Sequence, residues 1–399
     1  MNPKQNSFLP YGRQQIDDAD IAAVIDVLKS DYLTCGPAVD AFEHAFANKV
    51  GAKDSVVVSN GTAALHLAAL TLGLNAKDTV IVPTLTFLAT ASAPHLTGAE
   101  IIFSDVDPNT GLMTAETFSD ALSRAQRKVR AVFPVHLNGA CVDLESISKI
   151  AKKNNISIID DACHALGASM DGVPIGNGQQ SDMTIYSMHP VKTIAMGEGG
   201  AITTNNPDIA QKLRAYRNHG INREPELFMQ PNEGFDSNGL PHPWYYEMSF
   251  PGLNYRASDI HCALGLSQLK KLDAFRQKRE NLANLYDEKI ANMPHFIRPV
   301  PRVAGCKGGW HLYPIHIDFD EAGISRADLM RALRSRNIGT QVHYFPVHRQ
   351  PYWRTLYPNL ALPGADRYYA RCLSLPLFPA MTDDDVGSVI NAIKEALKI

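Results

Sequence analysis

A chain of 399 residues, 45% hydrophobic and 20% charged, has an ordinary globular composition and is long enough for two domains, since single cores stop growing beyond roughly 250–300 residues. A formal net charge of −3 and no long Lys/Arg run leave no electrostatic footprint for nucleic acid or an anionic membrane. The longest uncharged stretch, 79–99, holds Pro83, Pro94, His95 and five threonines, so no spanning helix is expected.

Met1-Asn2-Pro3-Lys4-Gln5-Asn6-Ser7 lacks the apolar centre of a secretory signal. The cysteines at 35, 141, 163, 262, 306 and 372 form no Cys-x-x-Cys pair and no zinc spacing. These features predict a reduced, cytoplasmic setting and no metal site. After the turn at Leu9-Pro10-Tyr11-Gly12, Ile21, Val24, Ile25 and Leu28 recur at helical spacing, and Val39, Phe42, Phe46 and Val50 do so after Thr34-Cys35-Gly36-Pro37. Both read as a docking arm that leads into the main domain.

Between 55 and 204, short β-branched runs alternate with helical segments. The runs are 55–59, 80–83, 100–104, 130–134, 157–161, 183–187 and 201–204, a pattern for an α/β domain with a mostly parallel sheet covered by helices on both faces. Residues 207–217 read as a helix and 221–251 as a long irregular segment, functional or mobile. A spine helix capped by Ser258 is predicted to run to about 293. A smaller α+β domain follows, with runs at 312–319 and 340–344 and helices at 326–337 and 383–398. The expected division is 1–257 for arm and large domain, 258–399 for spine and small domain.

Ligands of such sheets bind at the carboxyl ends of the strands. That rule selects Asn60-Gly61-Thr62, Thr84-Leu85-Thr86-Phe87, Asp161-Ala162-Cys163-His164, and Ser187 to Lys192. Lys192 precedes Gly197-Glu198-Gly199-Gly200, a tight loop that can limit hydration of its amine and make it a nucleophile; it reads equally as a surface lysine beside a turn. Gly61 and Thr62 open a helix whose free amides can hold a phosphate. Asp161 can pair with a pyridinium nitrogen or cap a helix. Phe87 can cover a ring or belong to the core, and His164 can donate to a ring hydroxyl or be a satisfied half-buried histidine. Ser187, five residues before Lys192, can reach a phosphate. Together these needs describe a pyridoxal 5'-phosphate site.

The same residues carry a family resemblance. Segments Leu33-Thr34-Cys35-Gly36-Pro37, Asn60-Gly61-Thr62-Ala63-Ala64-Leu65, Pro83-Thr84-Leu85-Thr86-Phe87, Asp160-Asp161-Ala162-Cys163-His164-Ala165, the Lys192 loop, Gly252-Leu253-Asn254-Tyr255-Arg256 and Gln341-Val342-His343-Tyr344-Phe345-Pro346 occur in order between Tyr11 and Leu377. The chain thereby resembles the pyridoxal-phosphate sugar aminotransferases of the DegT/DnrJ/EryC1/StrS type, with aspartate-aminotransferase fold type I. The resemblance implies that Lys192 forms the Schiff base, Asp161 holds the ring nitrogen and Phe87 covers the ring. It also implies that Thr62 and Ser187 bind phosphate, and that Asn254 reaches the phosphate of the neighbouring subunit in a homodimer with shared active sites. Tyr11, Tyr32, Leu33, Thr34, His189, Arg256, His343 and Tyr344 would meet the substrates, L-glutamate and a nucleotide-linked 4-keto sugar.

His189-Pro190-Val191-Lys192 and the long segment before Asn254 most resemble the pseudaminic acid branch, which aminates C4 of UDP-2-acetamido-2,6-dideoxy-β-L-arabino-hex-4-ulose. Met188 stands where phenylalanine is more usual, and Cys163 where alanine or serine is. Other readings remain: a different UDP-, dTDP- or GDP-linked keto sugar, or a non-catalytic cofactor-binding protein. A dehydrating relative would carry histidine at the position of Lys192. A nicotinamide dehydrogenase would need a third glycine where Ser181 stands.

Overall fold

The computed structural model describes residues 8–399, so the reading of Met1–Ser7 lies outside the described residues. Seven strands form the central sheet, in the order Asp54–Val58, Gly200–Thr204, Met183–Ser187, Ser157–Asp161, Val129–Val132, Thr79–Pro83 and Glu100–Ser104. Gly200–Thr204 alone runs against its neighbours; the rest share one direction. The strands are nearly continuous Val, Ile and Phe runs because helices cover both faces, which leaves no solvent-facing side to alternate toward.

Helices Gly61–Thr71, Leu88–His95, Ala115–Ser123 and Leu144–Lys153 connect the parallel strands. Side-chain oxygens of Asn60, Thr114 and Asp143 cap three of them by accepting from N3 amides, so the short polar residues before each apolar run fix where these helices start. A buried cluster from Val56 to Cys372 fills this layer.

A second cluster begins at Leu282 and surrounds a three-stranded antiparallel sheet of Ile297–Pro299, Tyr313–Ile317 and Cys372–Leu375. A third joins Val39, Phe42 and Phe46 to Tyr186, Met188, Cys262, Leu272 and Phe275, so residues on both sides of position 257 share one core.

Several expectations are corrected. The spine is two helices, Asp259–Leu269 and Leu272–Ile290. No Pro or Gly marks the break, so apolar spacing alone reads straight across it. At the break the Lys271 ammonium turns to Asp17 (2.5 Å) and to the buried Asp20 (2.7 Å) at the start of helix Asp18–Leu28. The run at 340–344 forms only an isolated bridge from Gln341 to Ser374. The segment 221–251 contains a two-stranded ribbon, Ile221–Asn222 with Glu247–Met248, a 3-10 turn at Pro225–Leu227 and a short α-helix at Pro231–Gly234. Its turns are held by the buried Glu247 carboxylate, which accepts from the amides of Met229 (2.7 Å) and Gln230 (2.8 Å). The N-terminal arm docks on the second core: Leu9 exchanges main-chain hydrogen bonds with Asn337 and Gly339.

Candidate active site

Because Gly200–Thr204 runs backwards, its first residue lies beside the last residues of two other strands, Val58 and Ser187. The helix starting at Gly61 is pressed into the same corner. A Cβ on Gly200 would stand 2.3 Å from the Asn60 carbonyl oxygen, and one on Gly61 would stand 3.0 Å from the Ser187 Cβ. This is the physical reason for glycine at both positions. The packing sets the start of the helix against Ser187, and Gly61, Thr62 and Ser187 line the same cavity. The Asn60 side chain occupies the Ala63 amide (2.8 Å), while Gly61 and Thr62 are the first residues of the helix, whose amides have no acceptor four residues back.

The loop from Ser187 to Gly200 is closed by Met188 N–H to the Gly199 carbonyl (2.8 Å) and Met196 N–H to the Met188 carbonyl (2.9 Å). Met188, Ile194 and Met196 are buried beneath it. The thioether at 188 therefore fills an apolar core position and removes no polar group from the site. Lys192 lies on a turn within this loop, its amide donating to the His189 carbonyl (2.8 Å). Burial pushes its pKa below the ordinary lysine value, against the opposing pull of Cys163 and Asp161.

Asp161, at the end of the central strand, is buried. One carboxylate oxygen accepts from the Thr90 hydroxyl (2.7 Å), the other from the Cys163 amide (3.1 Å). With its proton on Asp161, Thr90 accepts in turn from Thr86 (2.7 Å). No helix begins at Asp161, so the capping role is excluded. Nor is it joined to a Lys, Arg or His in an ion pair among the described residues; its charge is oriented by neutral donors and turned to the cavity.

His164 is buried, and the Asn138 amide donates to its Nδ1 at 3.3 Å. Burial holds its pKa well below the usual histidine range, reinforced by the charge of Lys192, so the ring is neutral and its proton sits on Nε2. That Nε2–H donates to the Tyr344 hydroxyl (3.1 Å), which leaves the phenolic proton of Tyr344 free as a donor. His311 packs against His164 with ring centroids 4.4 Å apart, and its Nδ1 is an orphaned buried polar atom. Burial lowers the pKa of His311 well below the usual value and that of His343 to about 3.

These groups surround a cavity of about 810 Å³. Of the residues singled out in the sequence, Gly61, Thr62, Phe87, Asp161, His164, Ser187 and Lys192 line it, with Tyr11, His189, His343 and Tyr344 around them. Phe87 is 56% exposed, a position no core phenylalanine would hold. The other five are elsewhere within one chain. Tyr32, Leu33 and Thr34 are exposed, and the Leu33 carbonyl accepts from the Asp259 amide (3.1 Å). Asn254 is exposed and bridges to Asn218. Arg256 donates to the Asn218 side chain and lines a separate cavity of about 770 Å³.

Thr86, within the selected strand-end segment, lines the site, as do Thr90 and His311, which the sequence reading did not select. Thr90, in the first turn of helix Leu88–His95 that follows the selected segment, had a usable signal in its closeness to that strand end; His311, alone before a strand, carried none.

A model of the DegT/DnrJ/EryC1/StrS aminotransferase family matches residues 14–394. The spore coat polysaccharide biosynthesis protein SpsC of Bacillus subtilis is 37% identical over 401 residues, covering 100% of this chain and 99% of its own. Among solved structures, Helicobacter pylori PseC, an aminotransferase involved in the biosynthesis of pseudoaminic acid, superposes with a TM-score of 0.88 at 26% identity, covering 98% of this chain and 100% of that one. The aminotransferase TlmJ from Streptoalloteichus hindustanus gives 0.86 at 27%, covering 98% and 99%. With its fold and strand-end cavity in accord with these likenesses, the chain belongs to the DegT/DnrJ/EryC1/StrS aminotransferase family.

Proposed function

We propose that this sugar aminotransferase moves the amino group of L-glutamate to C4 of a nucleotide-linked 4-keto-6-deoxy sugar, namely UDP-2-acetamido-2,6-dideoxy-β-L-arabino-hex-4-ulose. The observation that carries the reading is one cavity holding both a lysine whose ammonium is disfavoured by burial and a buried carboxylate with no cationic partner among the described residues. The likeness to PseC supports the choice of sugar.

The residues fit pyridoxal 5'-phosphate. Thr62, Ser187 and the first amides of helix Gly61–Thr71 would hold the phosphate, and the Asp161 carboxylate would keep a proton on the ring nitrogen by charge. Phe87 would cover the ring, and the Tyr344 hydroxyl, which accepts from His164 and keeps its own proton free, would donate to its polar edge. When bound, the cofactor supplies an aldehyde that carries the amino group and a ring that accepts electrons. Lys192 takes the proton from the α-carbon of glutamate as general base and returns a proton at C4 of the sugar as general acid. Asn254, exposed and outside the lining of its own chain's cavity, would meet the phosphate from a second copy of the chain. The division at 257/258 then separates the cofactor-holding part from the part that carries His343 and Tyr344.

A second reading, amination of a different UDP-, dTDP- or GDP-linked 4-keto sugar, is favoured by the higher identity to SpsC. Purified protein with glutamate and a panel of such sugars decides between them, with the product identified by mass and NMR. Amination of the UDP-L-arabino-hexulose is the expected result. Preference for another sugar selects the second reading, and no product from any sugar rejects both.

A further inference from the structure

Arg279, on helix Leu272–Ile290, is 1% exposed, and burial without an acidic partner lowers its pKa to about 10, which leaves it cationic at neutral pH. Its guanidinium donates only to main-chain carbonyls: one terminal nitrogen to Leu377 (2.9 Å), Trp310 (3.2 Å) and His311 (3.4 Å), the other to Lys192 (3.3 Å). A buried cation is costly, and carbonyl oxygens offset that cost only when several converge on it.

The acceptors belong to three segments: two supply residues to the cavity wall and the third is tied to a residue that does. Lys192 carries the reactive amine, and His311 lines the cavity. The Leu377 amide donates to the Tyr11 carbonyl (3.1 Å), whose ring lines the cavity as well. Of the other ties of the lysine loop, one is internal, from the Lys192 amide to the His189 carbonyl (2.8 Å), and the rest hold its flanks: Met188 to Met196 and Gly199, and the Ala195 amide to Gln268 (3.3 Å). Arg279 holds the carbonyl of Lys192 itself. A planar fork with five donors can grip several carbonyls from separate segments, which a lysine ammonium on a flexible stem cannot do in one geometry.

We infer that Arg279 is the positioning residue of Lys192, fixing the main chain of the lysine against the helix of the second core so that its amine is held, poorly hydrated, in the cavity. This rests on the reading of Lys192 as the proton carrier.

The test uses the full chain with Arg279→Lys and Arg279→Met, the former guarding against an apolar variant that fails to fold. In cofactor-stripped protein, the rate at which acetic anhydride labels Lys192 is followed against pH by peptide mass spectrometry, with exposed Lys152 as internal reference. The midpoint for Lys192 should rise toward that of Lys152. In loaded protein, kcat should fall by about 10- to 100-fold, the scale of a displaced catalytic group, while the KM for glutamate changes less than about twofold. An unchanged Lys192 labelling midpoint in a folded variant, or a loss confined to melting temperature, overturns the inference. Lys192→Ala separates the two ideas. Turnover by that variant would remove the reading of Lys192, whereas a dead Lys192→Ala beside fully active Arg279 variants would remove only the role of Arg279.

Discussion

The inner wall of the cavity and its expected outer rim are built differently. At the wall, Asp161, Thr90, His164 and Tyr344 are tied to one another or to main-chain amides at 2.7–3.3 Å within one chain. At the rim, Tyr32, Leu33, Thr34 and Asn254 are exposed, and Arg256 faces another cavity. The wall is pre-organised, with Asp161, Thr90 and His164 buried, which suits groups that hold charge and move protons. The rim has the chemistry to meet a sugar and a phosphate but lies outside its own chain's cavity, which favours completion by a second copy.

The strongest way to break this contrast is at the wall. Lys192→Ala should lose more than about 10⁴-fold in turnover, since one residue supplies both nucleophile and proton carrier. Borohydride should fix the cofactor on Lys192 in the parent protein; a peptide map with the adduct on any other lysine removes the assignment. Asp161→Asn should cost on the order of 10²- to 10³-fold in kcat and weaken cofactor binding, because an amide cannot hold a ring proton by charge. Near-parental turnover in that variant would take Asp161 out of the mechanism.

At the rim, the sharper experiment is mixing. Lys192→Ala and an impaired Asn254→Ala protein, exchanged as subunits, should regain activity up to about half a normal dimer's rate per heterodimer, as two-fold symmetry requires for sites shared between copies. If activity stays absent although mass spectrometry shows that subunits exchanged, Asn254 acts within its own chain.

The smallest effect expected is on the pH dependence of stability. His343, held at about 3, and His164 and His311, held well below the usual value, stay neutral in the fold while an unfolded chain protonates them below about 6.5. The unfolded state therefore binds more protons, so stability falls as pH drops from about 6.5 toward 3, by up to about 1.4 kcal/mol per pH unit for each histidine. Denaturant titrations of His343→Gln across that range should show a shallower slope than the parent; equal slopes would mean that His343 is protonated in the fold.

Local pattern in the sequence was enough for the alternation of β-branched runs with amphipathic helices, the mostly parallel sheet, and the strand-end motifs that hold Thr62, Phe87, Asp161, Ser187 and Lys192. Those features depend on neighbours a few residues apart, and alternation of period allows few sheet arrangements. Tertiary structure decided what those residues experience. Thr90 meets Asp161 across 71 positions and Arg279 meets Lys192 across 87, so neither partner has a local signature. The glycines at 61 and 200 are required by a contact between a helix start and a reversed strand that no spacing announces. Burial, which holds the histidines neutral and disfavours the lysine ammonium, is a property of the assembled cavity, because desolvation sums over every element that excludes water from it.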